Sequence, residues 1–426
     1  MVGSPMTQSD GARGTTLGRL GALLLDAGVS VTDVRDSLTH IDGGRMPALS
    51  FSVMPELVIV SDRDSGLAPV VATTQDELSF RQAARANQLA RALELGALPL
   101  AAAPDEISAV RAMVRRHPQL GWVVGSTLTS VGLAVLTRSP WWSVLVAVLV
   151  GAVVGAVTVA MGRIAAAAAI VPFAATLVST LMVGSFAHVA GIAQVPLFAV
   201  CAPIAILVPG AVITNALLEL TATDIVTGSA RLVYGLVVLG FMVAGVTAGV
   251  ALTGLHLDPH SAGLIGQFAI AGPEHAGWSA LPPLWLAWIG IVPLAIGVGL
   301  AFGSTPALTG VSVITMACAY GVLSALTPLV GKVVATGATA AALLIVARLI
   351  AQRALAAPAS ITFQPAFLLL VPGTVGLVAF ASMDVARVAD AVETFVSLCV
   401  GAKVGALFTA FHPSRRLDGD SPGRTS

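Results

Sequence analysis

Two polar residues, Asn215 and Glu219, follow a Pro-Gly pair inside the apolar run "CAPIAILVPGAVITNALLEL". Proline removes a backbone donor and glycine lowers helix propensity, so the pair frees carbonyl and amide groups that lipid cannot satisfy. A neighbouring helix, water, or a solute that carries an ammonium and a carboxylate would satisfy them. Because Asn215 and Glu219 are four residues apart, they share one face of the helix that follows. We therefore predict a site for a small polar solute formed by Pro209, Gly210, Asn215 and Glu219, the alternative being a simple kink in a packed helix.

The break recurs near the carboxyl end, where "LLLVPGTVGLVAF" contains Pro372 and Gly373. Recurrence in a corresponding apolar run favours a binding role over a simple kink. We therefore add Pro372 and Gly373 to the predicted substrate-binding residues.

Four ionisable residues lie close to these apolar runs and are candidates for exchanging a coupling proton: Glu219, Asp224, Asp384 and Lys403. Ionisable residues inside a membrane usually face a cavity or a partner of opposite charge. Asp224 has the alternative role of a loop carboxylate or helix cap, and Lys403 that of a side chain extending to the membrane surface. A carboxylate that gains a proton is cheaper to move through an occluded state, which gives a physical reason for coupling.

Composition predicts an integral membrane protein, because 56% of the 426 residues are hydrophobic and only 10% are charged. The formal net charge is zero and no basic stripe is present, so nucleic acid is not an expected partner. The cysteines lie in apolar runs, and Pro259 prevents His256 and His260 from sharing a helical face that could bind a metal. We expect no metal and no cofactor.

Residues 1–118 contain no apolar run long enough to cross a bilayer and are predicted to form a small cytoplasmic α+β domain. "LGRLGALLLDAGVSVTDVRDSLTHI" predicts two helices separated at Gly28, the second beginning at Ser30. "ALSFSVMPELVIVSD" predicts two strands about Met54-Pro55, and "TQDELSFRQAARANQLARALELG" a long amphipathic helix. The polar residues of this domain show no nucleophile-base pattern, so we do not predict an enzyme.

The rest of the chain predicts a mainly α, polytopic membrane protein with ten spans in two five-span modules. The modules are residues 119–254 and 281–411, separated by an outer loop at 255–280 and followed by a cytoplasmic tail at 412–426. The spans are predicted at roughly 119–137, 141–162, 165–188, 196–218, 229–254, 281–303, 307–326, 331–351, 361–382 and 389–411.

Lysine and arginine concentrate on the side that would be inner if both termini are cytoplasmic. An odd number of spans per module places the second module upside down relative to the first. This is the inverted-repeat plan of secondary transporters, whose interrupted helices mark the substrate site near the bilayer midplane.

The segment "VPGAVITNALLELTATDIVTGSARL", preceded far upstream by "LLLDAGVSVTDVRDSL", resembles the threonine/serine exporter family. The likeness covers the two modules and the soluble domain, although "HIDGGRMPALSFSVMPELVIVSDRD" is a compressed version of the family's strand region. The resemblance implies a bacterial cytoplasmic-membrane exporter of small hydroxy amino acids driven by the proton motive force. It also places Pro209, Gly210, Asn215, Glu219, Asp224 and Arg231 in the first-module motif, and Pro372 and Gly373 in the second.

We therefore predict a proton-coupled exporter of threonine and serine that partners the lipid bilayer. Some relatives in this family export dicarboxylates, so a dicarboxylate or another small polar metabolite is the first alternative. A channel and a membrane-anchored sensor are the others, and homo-oligomerisation stays open.

Overall fold

The structure is a computed structural model that describes residues 7–43, 49–62, 66, 68–74, 78–222, 224–258, 277–353, 366, 369–370 and 385–411. It is mainly helical. Helices and strands are numbered below in chain order within these ranges.

The N-terminal region, residues 7–111, combines four helices with a three-stranded antiparallel sheet in its described part. The helices are α1 (Thr7–Asp26), α2 (Val31–Asp42), α3 (Phe80–Glu94) and α4 (Ala103–Arg111). The strands are β1 (Leu49–Met54), β2 (Leu57–Asp62) and β3 (Val70–Ala72). The predicted hairpin about Met54-Pro55 is confirmed by the β1–β2 pairing, whereas β3 and α4 were not predicted.

Local sequence explains where the helices of this region begin. The Ser30 hydroxyl accepts a hydrogen bond from the Asp33 amide, which confirms the predicted start of α2. Ser79 and Gln82 form a reciprocal capping box at the start of α3. Gly28 has φ +76°, a conformation in which glycine ends α1 without strain. Alternating burial along β1 turns Leu49, Phe51 and Val53 into the core of the region.

Long apolar helices follow the N-terminal region. They are α5 (Pro118–Leu136), α6 (Trp141–Gly162), α7 (Val171–Ala190), α10 (Ile225–Thr253), α11 (Leu284–Phe302) and α12 (Pro306–Val330). Within the described ranges these are the six helices whose length and hydropathy suffice to cross a membrane. The chain is therefore a multi-pass membrane protein. Two further helices, α13 (Lys332–Arg353) and α14 (Val385–Phe411), coincide with the predicted eighth and tenth spans.

The predicted fourth span is broken, as its Pro-Gly pair indicated. It consists of a short helix α8 (Leu197–Cys201), a 3-10 turn (Ala202–Leu207) and helix α9 (Gly210–Thr221). Val208, with φ −65° and ψ 124°, is extended between the two helical parts. The predicted ninth span, 361–382, lies almost entirely outside the described residues, so the count of ten spans stays a prediction.

Helices α7 and α10, at the third and fifth positions of the predicted first module, run parallel in close contact through small residues. A Cβ atom added to Gly249 would lie 2.5 Å from Thr180 Cβ, and one added to Gly184 would lie 2.6 Å from Thr253 Oγ1. Such distances leave no room for a larger side chain. The contact is the small-residue packing that lets membrane helices approach closely.

Helices α13 and α14, at the third and fifth positions of the predicted second module, pack in the same way. A Cβ atom added to Gly337 would lie 2.5 Å from Ser397 Oγ, and one added to Gly405 would lie 2.7 Å from the Ala341 carbonyl oxygen. Residue numbers again increase together along the two helices, so this pair is also parallel.

The first helices of the two predicted modules, α5 and α11, pack against each other in opposite directions. A Cβ atom added to Gly125 would lie 2.6 Å from the Gly297 carbonyl oxygen, and one added to Gly290 would lie 2.9 Å from the Leu136 amide nitrogen. Each of the three helix pairs is thus held by close approach at glycine.

The connecting loops gather in two groups. In one group, Arg138 Nε donates to the Pro282 carbonyl oxygen at 2.8 Å, and the Val195 amide donates to the His256 carbonyl oxygen at 3.0 Å. The first contact joins the loop after α5 to the loop before α11, and the second joins the loop before α8 to the loop after α10. They are the loops that the charge pattern assigned to the outer side.

The second group surrounds the N-terminal region. The hydrophobic core of the N-terminal region includes Val298 of α11 and Leu308 of α12. Phe80 of α3 stacks on Phe302, with ring centroids 5.2 Å apart. Arg115 Nη2 donates to the Ala301 carbonyl oxygen at 2.7 Å. The N-terminal region therefore docks on the α11–α12 turn and at the start of α5.

Candidate functional site

Glu219 and Arg231 form a buried ion pair between α9 and α10. Arg231 Nη1 contacts Glu219 Oε1, and the Glu219 side chain has no exposed surface. A Cβ atom added to Gly228 would lie 2.7 Å from the Ala216 carbonyl oxygen, so α10 approaches α9 closely just beside the pair. Gly228 and Arg231 are three residues apart and lie on the same side of α10. Glycine contact thus brings the guanidinium against the carboxylate.

The N-terminal region supplies a further partner to the same carboxylate. The backbone amide of Val31, in the first turn of α2, donates to Glu219 Oε1 at 3.3 Å. Among the described residues, Glu219 Oε2 has no hydrogen-bond partner. A buried carboxylate oxygen without a protein partner is expensive and needs water, a proton or a solute group.

Asp224 lies in the turn between α9 and α10 and is held by α2 through its side chain. Thr32 Oγ1 donates to Asp224 Oδ2 at 2.8 Å, and Arg35 Nη2 lies 2.9 Å from Asp224 Oδ1. Burial raises the pKa of Asp224, but the hydrogen bonds from Arg35 and Thr32 outweigh burial and hold that pKa below its ordinary value. The positive charges of Arg35 and Lys403 act in the same direction. Asp224 is therefore ionised at neutral pH.

The structure places several of the predicted site residues along α9 and beside its two ends. Pro209 and Gly210 lie at the break, and the Gly210 amide donates to the Val208 carbonyl oxygen at 2.7 Å. Asn215 is half-buried on α9, one turn before Glu219. Lys403, half-buried on α14, is close enough to Asp224 to influence its charge. Three other predicted site residues, Pro372, Gly373 and Asp384, lie outside the described residues.

Comparison with known proteins finds a family whose match includes the residues of this site. The family model ThrE, described as "Putative threonine/serine exporter", matches residues 15–253, which is more than half of the chain. The chain belongs to this threonine/serine exporter family. No curated protein and no solved structure matches the chain. The family match runs from α1 to the last residue of α10, so it contains the break, the ion pair and the first turn of α2.

Three residues of the site were not among the residues predicted to bind substrate or couple protons. Arg231 was placed in the family's motif by resemblance alone, and its position three residues after Gly228 is the sequence signal for its place beside α9. Thr32 and Arg35 lie about 190 residues before Asp224 in this family member, and no local pattern links them to it. Their contact is a product of the tertiary fold.

Among the described residues, no group of three or more His, Cys, Asp or Glu side chains could hold a metal ion. The described side chains of the site include two carboxylates, two guanidinium groups, an ammonium, a hydroxyl and an amide. Groups of these kinds can hold a zwitterion, exchange a proton and change partners.

Proposed function

We propose that the protein is a secondary active exporter of threonine and serine that uses the proton motive force. The observation that carries the proposal is the fully buried Glu219 at the end of a broken membrane helix, paired with Arg231. A buried charge of this kind is costly and is kept where a membrane protein moves ions or polar solutes. Membership of an exporter family supports the direction of transport.

We further propose that the two predicted modules form an inverted repeat. In both modules the third and fifth helices run parallel and pack through glycine, while the first helices of the modules meet in opposite directions. Repeated packing of this kind supports two related halves that could rock against each other about a central site. Both termini are proposed to be cytoplasmic, in the cytoplasmic membrane of a bacterium. The arginine residues on the face that carries the N-terminal region support this orientation.

The proposed solute site lies at the break. Pro209, Gly210 and the side-chain amide of Asn215 would line the site that holds the ammonium, carboxylate and hydroxyl of the amino acid. Pro372 and Gly373 would contribute the matching groups of the second module. The protein is not proposed to be an enzyme or to need a cofactor.

Glu219 is the proposed proton carrier. Arg231 from α10 and the Val31 amide from α2 face it, and Asp224 is the acidic group that acts on it. Protonation of Glu219 would release Arg231 and lower the cost of passing through an occluded state. Asp224 is a poorer carrier because its hydrogen bonds with Arg35 and Thr32 keep it ionised. Lys403 would stabilise that charge, and Asp384 is the remaining carboxylate of the proposed path.

The test is efflux of labelled threonine and serine from cells preloaded with dipeptide, with and without an uncoupler. The proposal expects Glu219→Gln with Asn215→Ala to abolish efflux, and the uncoupler to abolish efflux by the intact protein. Asp224→Asn should leave efflux dependent on pH, whereas Glu219→Gln should remove the pH dependence. Glu94→Gln, the same substitution at an exposed carboxylate of α3, is the control and should change nothing.

Unchanged efflux in the Glu219→Gln, Asn215→Ala protein would overturn the assignment of the site. Absence of efflux by the intact protein, with normal abundance in the membrane, would overturn threonine and serine as substrates. The same assay with labelled dicarboxylates would then test the alternative class.

A further inference from the structure

The first turn of α2, residues Val31 to Arg35, contacts both carboxylates of the α9–α10 turn. The Val31 amide donates to Glu219, while Thr32 and Arg35 donate to Asp224. One short surface of the N-terminal region therefore covers the end of the broken span. We propose that this turn is the cytoplasmic wall of the transport site, and that Arg35 and Thr32 are positioning residues that latch it on Asp224. The inference rests on the proposed exporter function.

The groups in contact across the two surfaces carry opposite charge, whereas Asp36 of α2 adds a like charge that acts on Asp224. The amino end of a helix carries partial positive charge on amides that have no partner within the helix. In α2, Ser30 accepts from the Asp33 amide, and the Val31 amide is satisfied by Glu219. The Arg35 guanidinium adds a full positive charge one turn later. Positive groups of α2 thus face negative groups of the α9–α10 turn, which specifies where the turn docks.

Burial explains why this contact controls access. The Glu219 side chain is 0% exposed, and the Asp224 side chain is 17% exposed. Because α2 donates directly to Glu219, a solute arriving from this side cannot reach the carboxylate while the turn stays in place. Loading from the cytoplasm therefore requires the first turn of α2 to withdraw from the end of α9.

The latch is weaker than the anchor that holds the rest of the region. The Arg35 side chain is 38% exposed, and ion pairs that reach solvent contribute little net free energy. At the other contact, Phe80 stacks on Phe302, and Val298 and Leu308 belong to the buried core of the N-terminal region. Apolar burial makes this second contact the more stable one. The turn can therefore move away from Asp224 while α3 stays docked on α11.

The experiment measures access to the broken span rather than transport. A protein with Cys201, Cys318 and Cys399 replaced by alanine receives Asn215→Cys, and inside-out vesicles are treated with a membrane-impermeant charged maleimide. The rate of labelling reports how often the cytoplasmic wall is open. No threonine or serine is present, so the readout does not depend on which solute the protein carries.

The latch predicts that Arg35→Ala with Thr32→Val raises the labelling rate at least about fivefold, a shift of roughly 1 kcal/mol in the closing equilibrium. Reversal of the charges, Arg35→Asp with Asp224→Arg, should return the rate toward that of the parent. Arg85→Ala removes the exposed ion pair of Arg85 with Glu106 in the same region and is the matched control, with no expected change.

Equal labelling of the parent and the unlatched protein would overturn the inference, and so would failure of the reversed pair to restore the parent rate. Abundance in the membrane and thermal unfolding in detergent identify variants that simply misfold. Normal gating by α2 in a protein that exports neither threonine nor serine would refute the substrate proposal and leave the latch intact. Efflux of threonine or serine by the intact protein, together with equal labelling of the parent and the unlatched protein, would refute the latch and leave the substrate proposal intact.

Discussion

At the scale of single residues, the ion pair Glu219–Arg231 is costly to bury, but its two charges are opposite and in direct contact. Both charges lose hydration when they are buried, and their attraction offsets that loss only while both are present. The second carboxylate oxygen, Oε2, has no partner among the described residues, so the pair is incompletely satisfied there. An incompletely satisfied buried pair can change its protonation state or partner more readily than a saturated one.

We predict that Arg231→Ala destabilises the protein by about 3–5 kcal/mol, because it leaves the Glu219 carboxylate buried without its partner. Arg231→Met combined with Glu219→Gln should recover much of that loss, since no uncompensated charge remains. Thermal unfolding of the detergent-solubilised protein measures both changes. If the double variant is as unstable as Arg231→Ala, the ion pair is not the source of the stability.

The carboxylate of Asp224 differs from that of Glu219 in that its ion-pair partner, Arg35, is partly exposed to solvent. Its pKa lies below the ordinary value, so the stability that it adds to docking is fully present above the unfolded pKa of about 3.9 and is lost only as the pH falls through the lower folded value. The latch formed with Arg35 therefore holds throughout the neutral range. Any pH dependence of transport near neutrality must come from another group, which is why Glu219 is the proposed carrier.

At the scale of elements, close contact between α9 and α10 depends on glycine. A Cβ atom added to Gly228 would lie 2.7 Å from the Ala216 carbonyl oxygen and 2.8 Å from the Leu220 amide nitrogen. Both neighbours are backbone atoms that cannot rotate away. Gly240 lies on the same helix, and a Cβ atom added there would meet no described atom within 4 Å.

We predict that Gly228→Ala destabilises the protein by about 1–3 kcal/mol and reduces efflux, because the two helices must separate and draw Arg231 away from Glu219. Gly240→Ala is the matched control. It should be neutral or stabilising by up to about 1 kcal/mol, since alanine favours the helix more than glycine does. Unfolding temperature and efflux should be measured on both. Equal behaviour of the two variants would contradict the packing explanation.

Elements specified by local signals could be predicted from the sequence. The start of α2 at Ser30, the hairpin about Met54-Pro55 and the break at Pro209 each depend on residues within a few positions of one another. The strand β3 was not predicted because its three residues are held by pairing with β2 rather than by a pattern of their own.

The candidate site was predictable only in part, for the same physical reason. Glu219 and Asn215 share a helix face by spacing alone, so the sequence indicated them. The contacts of Thr32 and Arg35 with Asp224 join segments about 190 residues apart, and no periodicity encodes them. Arg231 lies between these cases, because its motif was visible while its pairing with Glu219 required the packing of α10 on α9.

At the scale of the whole molecule, the two groups of loops define two faces. Contacts of Arg138 with Pro282 and of Val195 with His256 join loops of one face. The N-terminal region, the α9–α10 turn and the α11–α12 turn form the other. From the N-terminal region to the α11–α12 turn, the described loops alternate between these faces, as a chain must when each long helix crosses a bilayer once. The faces therefore correspond to the two sides of the membrane.

We predict that a cysteine at Ala190, exposed at the end of α7, is labelled from outside intact cells by an impermeant maleimide. A cysteine at Ala112, exposed after α4, should be labelled only in inside-out vesicles. Both belong in the protein that lacks Cys201, Cys318 and Cys399, which itself is the control for background labelling. The charge pattern places arginine on the face that carries Ala112, and positive loops stay cytoplasmic.

Labelling of both positions from the same side would contradict the alternation and with it the inverted arrangement of the two modules. Labelling of the Ala190 position from inside and of the Ala112 position from outside would agree with the fold but would place the N-terminal region outside the cell. The first turn of α2 could not then close a cytoplasmic entrance.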